Sequence, residues 1–389
     1  MYMTRTLAQL RKFPELVSQH PEGPNSGYLV IQDEESETYC CFGSCKNRVL
    51  EELPFPQNKK LTVRYSTGAG RGRRIYTDPV FLIPVLNQPL CRNRYHAIVP
   101  QGPGKGQTFT CSREEDQVTH CFGSCISDRS PRPFDPKNIY QQIEIVPCET
   151  LCMPAGWHFV AKSVASNGFP PLFFRREGWT MITKTPKHFE LGEAQGLDDA
   201  LRARLPQLSL SGSEPVVVGK WYCPFTFVKE GSLRDQVERS MYYEMTLEQR
   251  WERIFSCQNN GGNSVVIDVS LEKEEVFVNG NKGVMNERNE TNGVVWFTSS
   301  SNIRGEIMSF GLRVEILQRM KWEQERGGWI GGGEKEAKIK KIEEFKDVGG
   351  WKEFGCYVLV ERFRLKRMDE SLAMKYDFNH FHQIKTLWE

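Results

Sequence analysis

Short runs of apolar residues, separated by glycine, proline and asparagine, recur along the whole chain. Gly27–Ile31 and residues 94–99 are rich in aliphatic and aromatic side chains, a composition typical of strands. Comparable runs follow at residues 61–65 and 139–145. The pattern therefore predicts a β-rich N-terminal half.

An internal repeat organises that half. The string CFGSC occupies residues 41–45 and again residues 121–125, each time with Glu-Glu before it and Pro-Phe after it. Five identical consecutive residues with aligned flanks exceed what chance gives. We predict a duplicated β-rich domain over residues 1–190, with copies at about 27–90 and 94–150, because repeated units bury their apolar faces against each other.

The second half mixes two periodicities after a polar linker at residues 191–215. Residues 265–271, 275–278 and 294–297 alternate as strands do, and apolar residues at 307–325 recur at helical spacing. The predicted fold class is α+β, dominated by β structure. It has duplicated antiparallel β units in the N-terminal half, and mixed strands plus a long helix in an α+β domain over residues 216–389.

A glycine-rich segment, GGWIGGG at residues 327–333, precedes a charged run at 334–347. Glycine loses much conformational freedom on ordering, so we predict a flexible charged insert at 327–348. Lysines interleave with Ile339, Ile342 and Phe345 in this run. That spacing favours a solvated surface helix.

Charge and composition narrow the functional classes. The 389 residues carry 51 basic and 49 acidic groups, a net charge of +2. No overall field therefore attracts a polyanion, and the composition argues against nucleic-acid binding. The strongest apolar run, residues 80–86, is far too short for a transmembrane segment. The N-terminus does not resemble a signal peptide. With 12 cysteines suited to a reducing compartment, we predict an intracellular, most simply cytoplasmic, protein.

The repeated cysteines are the most specific chemical signal. Zinc binds thiolate and imidazole groups tetrahedrally, and two pairs from the two copies would complete one structural zinc site. The candidate ligands are Cys41, Cys45, His120, Cys121 and Cys125. The alternative is that Phe-Gly-Ser forms a turn and the thiols pack as small hydrophobic groups. The sequence leaves both interpretations open.

Cys41 and three other cysteines are also candidates for fatty acylation. Cys40, Cys41, Cys148 and Cys152 would accept acyl chains, and the basic residues 71–74 would supply the second signal that stable anchoring needs. This predicts a peripheral membrane protein as a further alternative.

Other chemical signals are weaker. Asp377, His380 and His382 form a candidate metal or acid–base cluster, although such residues more often lie at the surface or in a satisfied core. The glycine-containing segments 66–74 and 101–107 are interpreted as loops. The first does not precede a helix as a phosphate-binding loop does, and the second lacks the Gly-Lys-Ser/Thr ending of such a loop. The sequence contains no Gly-x-Ser-x-Gly elbow, His-Glu-x-x-His motif, dinucleotide-binding fingerprint or kinase signature set.

Several stretches resemble a plant family known as domain of unknown function 1262. They are residues 23–33, 53–59, 83–90, 241–252, 321–326 and 357–389. The resemblance implies a plant source and one architecture for the whole chain, but no catalytic residues. One departure is Glu370, where the family tends to have glycine at a hairpin tip.

These observations favour a non-enzymatic binding or scaffold protein. Its partner would be a protein or a small molecule held by loops on repeated β units, namely residues 66–74, 101–107 and 327–347. The first alternative is an enzyme, or a zinc-stabilised protein, that uses the Cys/His cluster of the two repeats. The second is the acylated peripheral membrane protein.

Overall fold

The computed structural model describes residues 1–40, 45–68, 72–120, 123–148, 158–184, 190–285, 292–300, 307–347 and 349–389. The chain forms two compact units. Unit 1 comprises Met1–Glu193, Pro224–Thr226 and Gly231–Tyr242, and unit 2 comprises Ala194–Cys223, Phe227–Glu230 and Tyr243–Glu389. Among the described residues, no helix is long and apolar enough to span a membrane.

The described part of the chain contains five α-helices: α1 (Leu7–Lys12), α2 (Leu172–Arg175), α3 (Asp199–Arg204), α4 (Leu233–Arg239) and α5 (Val314–Arg326). Short 3₁₀ helices occur at Pro14–Ser18, Leu90–Arg92, Glu114–Asp116, Ile139–Gln141 and Phe225–Phe227.

The strands of unit 1 are β1 (Tyr2–Thr6), β2 (Gly27–Ile31), β3 (Tyr39–Cys40), β4 (Cys45–Lys46), β5 (Val49–Leu50), β6 (Lys60–Thr67), β7 (Arg74–Pro84), β8 (Arg94–Ile98), β9 (Ser112–Arg113), β10 (Gln117–His120), β11 (Gly123–Ile126), β12 (Ile143–Pro147), β13 (Phe159–Ser163), β14 (Gly168–Phe169) and β15 (Thr180–Lys184). Seven of them form a sheet in the order β13-β12-β8-β7-β6-β15-β5. Alternate residues of its central strands, such as Leu61 and Val63, enter an apolar core.

The two sequence copies do not form two equivalent β units, so that part of the fold-class prediction is wrong. β2 pairs in parallel with β1, whereas β8 pairs antiparallel with β7 and β12 in the seven-stranded sheet. The two copies pair differently because a different strand precedes each of them in the chain. β1 lies before the first copy and offers it a parallel partner, while β7 lies before the second copy and pairs with it as a hairpin neighbour.

The strands of unit 2 are β16 (Gly196–Leu197), β17 (Val216–Pro224), β18 (Val228–Lys229), β19 (Tyr242–Gln258), β20 (Ser264–Glu272), β21 (Glu274–Val278), β22 (Asn281–Met285), β23 (Val294–Ser300), β24 (Ile307–Arg313), β25 (Glu336–Glu344), β26 (Glu353–Lys366) and β27 (Leu372–Trp388). Most lie in one sheet in the order β18-β24-β23-β22-β21-β27-β26-β19-β17, with β16 paired to β17. β20 and β25 form a separate antiparallel ribbon.

The predicted long helix is also wrong. Of residues 307–325, the first seven form strand β24, and α5 is only 13 residues long. Leu312 fits the helical spacing but pairs with Val295 in the sheet, and Gly311 lets the chain pack closely against Val294. Buried Ile316 and Met320 mark the short helix that remains. The fold is therefore β-dominated, and the described residues contain no long helix.

Two local predictions are tested by strands β25 to β27. The charged run forms strand β25 and not a surface helix, because Ile339 is buried between apolar residues of the ribbon core. At the β26–β27 hairpin tip, Glu370 has a φ of 65°, the left-handed conformation that favours glycine. Arg367 N donates to Ser371 O at 2.9 Å and closes the turn. The hairpin therefore forms despite the glutamate.

Candidate functional site

Most of the predicted zinc ligands lie outside the described residues or are described by their backbone alone. Cys41 and Cys121 are outside. His120 and Cys125 lie on the β10–β11 hairpin, where His120 pairs with Gly123. Cys45 is exposed on β4. Within the described part of the chain, no three His, Cys, Asp or Glu side chains are arranged to hold a metal, and the zinc site stays a prediction.

The C-terminal cluster is divided between different environments. Asp377 accepts two hydrogen bonds from the Arg362 guanidinium, one of them at 2.5 Å from Nε. His380 is buried and His382 is exposed, with their ring centroids 5.5 Å apart.

Of the acylation candidates, Cys148 is half-buried and Cys152 lies outside the described residues.

A buried ion pair occupies the interior of unit 2. Arg202 lies on α3, whose N-terminus is capped by Asp198 accepting from Leu201 N at 2.8 Å. The Arg202 guanidinium donates to both oxygens of Glu361 on β26, at 2.8 Å to Oε1 and 2.5 Å to Oε2. Gln249 of β19 donates to Oε1 at 2.7 Å. This fork-to-carboxylate geometry is the strongest form of charged hydrogen bonding.

The buried Glu361 stays ionised because of these donors. Burial raises its pKa, but the Arg202 guanidinium outweighs burial, with help from His380 and Gln249, and the pKa falls below its usual value. His380 Nε2 lies 3.7 Å from Glu361 Oε2 and 3.0 Å from Gln324 Oε1. Burial lowers the pKa of His380 to about 4; Glu361 opposes this shift, and Arg202 and His382 add to it. At neutral pH the imidazole is therefore uncharged.

The same arginine fixes the end of α5 and the start of the glycine loop, which we define as residues 327–333. Arg202 Nη1 donates to the carbonyl of Glu323 at 3.0 Å, which satisfies one of the last acceptors of the helix. A Cβ atom on Gly327 would overlap the guanidinium. Two residues further, Trp329 N donates to Gln324 O at 3.0 Å. The ion pair therefore positions the loop.

Beside this loop lies a cavity of about 520 Å³, which we call the loop pocket. Its walls come from the glycine loop and the first residue of β25, from the β20–β21 connection, from β22, from α5 and from Tyr376 of β27. Trp329 is buried edge-on against Phe378, with ring centroids 5.1 Å apart. Lys273 Nζ donates to Gly331 O at 3.3 Å and ties the loop to the opposite wall.

Opposite charges alternate around the pocket. Lys321 Nζ lies 3.1 Å from Glu274 Oε1, and the other Glu274 oxygen accepts from the Tyr376 hydroxyl. Lys282 Nζ lies 2.9 Å from Glu272 Oε1, and this hydrogen bond raises the lysine pKa above its usual value. The pocket thus offers donors and acceptors in pairs and no strong net charge. Such a lining suits a polar, uncharged or zwitterionic molecule.

Sequence reasoning missed this site for two reasons. Arg202 and Glu361 are 159 positions apart, and no local pattern connects residues at that distance. Arg202 also lies in a segment whose polar composition predicts a linker. The glycine loop is the part of this site that the sequence does indicate, since segment 327–347 is among the loops predicted to contact a partner or ligand.

The comparisons with known proteins show that part of unit 1 is similar to one protein family. A family model described as "Protein of unknown function (DUF1262)" matches residues 22–122. A solved structure titled "Crystal structure of Cry35Ab1" is similar with a TM-score of 0.45 and 12% identity, covering 86% of this chain and 90% of that one. A likeness at that level carries no argument. No curated protein matches the chain.

Proposed function

We propose that the protein is a non-enzymatic binding protein of plants, and that the loop pocket holds a small ligand. The plant origin is supported by the sequence resemblance. The pocket is supported by one observation above the others, a cavity of about 520 Å³ whose glycine wall is tied by Lys273 and follows the helix end that Arg202 contacts. Cavities of roughly 300–1,000 Å³ are the usual size of small-molecule sites.

The lining restricts the ligand class. Paired lysines and glutamates bind hydroxyl, amide or zwitterionic groups without favouring either charge. The backbone of Gly331 to Gly333 lets a ligand approach closely, since these residues have no side chains. Aliphatic contacts come from Val276 and Val284. A nucleoside, a small sugar or an amino acid meets all three conditions.

The test is a thermal-shift and calorimetric screen with nucleosides, methyl glycosides and amino acids as probes. The blocking variant is Val284→Trp, because Val284 is 69% exposed at the pocket and a large ring there closes it. The matched control is Val266→Trp, which alters a valine that is 64% exposed on β20, outside the pocket lining.

We expect a probe that stabilises the wild type and the control but not the blocked variant. Binding that survives Val284→Trp unchanged would place the ligand elsewhere. A probe that the protein converts chemically would refute the non-enzymatic role.

A structural zinc site is the second candidate. It is supported by the repeated CFGSC string of the sequence, and by the described cysteines Cys45 and Cys125, each of which lies on the second strand of a short antiparallel pair. Metal analysis of the purified protein, together with titration of its thiols, tests it. Zinc at about one per chain with protected thiols supports the site, and metal-free protein with reactive thiols removes it. Hydroxylamine-sensitive acyl exchange tests the acylation alternative on the same sample.

A further inference from the structure

Burial falls along the β6–β7 hairpin from its base toward its tip. At its base, Val63 and Val80 are buried in the core. From Gly72 to Thr77 every residue is exposed, although Ser66 and Tyr65 still pair with Ile75 and Tyr76. This end of the hairpin therefore contributes little to the core.

The exposed end is basic. Residues 60–80 contain five lysines and arginines and one acidic residue, Asp78, whereas the whole chain is nearly neutral. Arg73 Nη2 lies 3.4 Å from the Ser66 hydroxyl on one face. On the other face, the Arg176 guanidinium stacks on two rings, 4.9 Å from Tyr65 and 5.0 Å from Tyr76. Asp78 is half-buried near Arg176, and no ion pair joins Arg73 or Arg74 to an acidic residue of the described chain.

Apolar surface accompanies this charge. Ile75 is 51% exposed and Tyr76 is 39% exposed, directly after Arg73 and Arg74. Arginines bind lipid phosphates through their planar fork, while aliphatic and tyrosine side chains enter the headgroup region. A nucleic acid fits less well, because base stacking needs free aromatic faces and Arg176 covers a face of both tyrosines.

We propose that the β6–β7 hairpin is a docking surface for an anionic lipid bilayer. The positive charge of Arg73 and Arg74 complements the negative charge of the lipid headgroups. Ile75 adds an apolar contact that a purely ionic partner would not use. The proposal does not depend on the loop pocket, which lies in unit 2, or on acylation.

Co-sedimentation of the full chain with phosphatidylcholine vesicles, with and without phosphatidylserine, tests the proposal. Each arginine near an anionic surface contributes roughly fivefold to partitioning, so Arg73→Gln/Arg74→Gln lowers binding by about 25-fold. Ile75→Ser lowers it further and independently of salt. The matched control, Lys340→Gln/Lys341→Gln, removes two exposed charges from β25 and leaves binding unchanged.

Three results overturn the proposal. The wild type sediments equally with neutral and anionic vesicles, or the two double variants lose binding equally, or the protein binds single-stranded RNA and ignores vesicles. The thermal midpoint of each variant serves as the folding check, since all the altered side chains are exposed.

Discussion

Both units have apolar interiors, but only in unit 2 do the described residues include buried ion pairs. Unit 1 has an aromatic centre in which Phe55, Phe159, Phe174 and Trp179 meet at ring-centroid distances of 4.9 to 6.4 Å. Unit 2 encloses the Arg202–Glu361 ion pair together with His380. Apolar packing is non-directional, whereas each buried charge must meet its partner in one geometry.

The comparison indicates that unit 2 accepts a cost in stability at the place where its glycine loop is positioned. Removing two charges from water costs several kcal/mol per ion, and an apolar replacement is often as stable. Among the described residues of unit 1, no Lys, Arg, Asp or Glu is buried. Unit 2 carries the cost in several buried ion pairs, including Arg319–Glu323 and the Arg202–Glu361 pair at the end of α5. We infer that the ion pair contributes fixed loop geometry more than stability.

The largest expected effect comes from breaking the ion pair on one side. Arg202→Met leaves the buried Glu361 carboxylate without its guanidinium and should lower the free energy of unfolding by about 3–5 kcal/mol. Urea unfolding followed by circular dichroism measures this loss. Hydrogen–deuterium exchange should show the loosening in peptides of α5 and the glycine loop, and not in unit 1.

A double variant makes this first comparison sharper. Arg202→Met/Glu361→Leu removes both charges, so most of the lost stability should return while the glycine loop still exchanges faster than in the wild type. If the double variant is as unstable as the single one, packing and not charge explains the loss. If loop exchange returns to the wild-type rate, the positioning role of Arg202 is wrong.

Truncating the apolar core of unit 1 should have the next largest effect. Met181→Ala removes a fully buried side chain from β15 and should cost about 3 kcal/mol, because the cavity is filled only in part. This loss should be the same at pH 7 and pH 5, since no charge is involved. Lys184→Ala, an exposed position on the same strand, should change stability by less than about 0.5 kcal/mol.

Acid should weaken unit 2 through His380. Its pKa is 6.5 in the unfolded chain and about 4 when folded, so the unfolded state binds the proton first and stability falls as pH drops below 6.5. Between pH 7 and pH 5 the loss should be about 2 kcal/mol. The lowered pKa of Glu361 acts in the same direction at still lower pH.

Urea unfolding across this pH range measures the effect. His380→Gln should remove most of the dependence, because the amide keeps a hydrogen-bonding group and does not titrate. The exposed His20 provides the control, and His20→Gln should leave the dependence intact. An unchanged slope in His380→Gln would show that other groups cause the acid sensitivity.

The sequence allowed the β-rich composition to be predicted, because apolar runs such as Gly27–Ile31 directly favour strands. It did not allow partners to be chosen. Whether β2 pairs with β1 or with a later strand depends on which strand lies beside it, and strand-forming residues alone do not encode that. The error over α5 has a similar cause, since the spacing of Leu312 and Ile316 suits a helix, and only pairing with Val295 reveals the strand.

The candidate site was less predictable still. A buried arginine is rare, so Arg202 in a polar segment is assigned to the surface by any composition argument. Glycines in sequence indicate freedom, yet in the fold Gly327 leaves space for a guanidinium. Ordering the glycine loop costs conformational entropy, and the hydrogen bonds of the neighbouring Arg202 and Trp329 offset that cost. That balance depends on tertiary contacts between residues far apart in the chain.

The smallest expected effect distinguishes a glycine that leaves space for a neighbouring side chain from one that only makes the chain flexible. Gly327→Ala introduces a methyl group where the Arg202 guanidinium lies. Arg202 cannot move away without breaking its hydrogen bonds to Glu361. The free energy of unfolding should therefore fall by about 1–2 kcal/mol. Gly333→Ala, in the same loop but with open space around it, should be neutral or slightly stabilising because it restricts the unfolded chain. Equal effects in the two variants would mean that the loop is not held by the ion pair, and the functional contrast between the two interiors would then lose its basis.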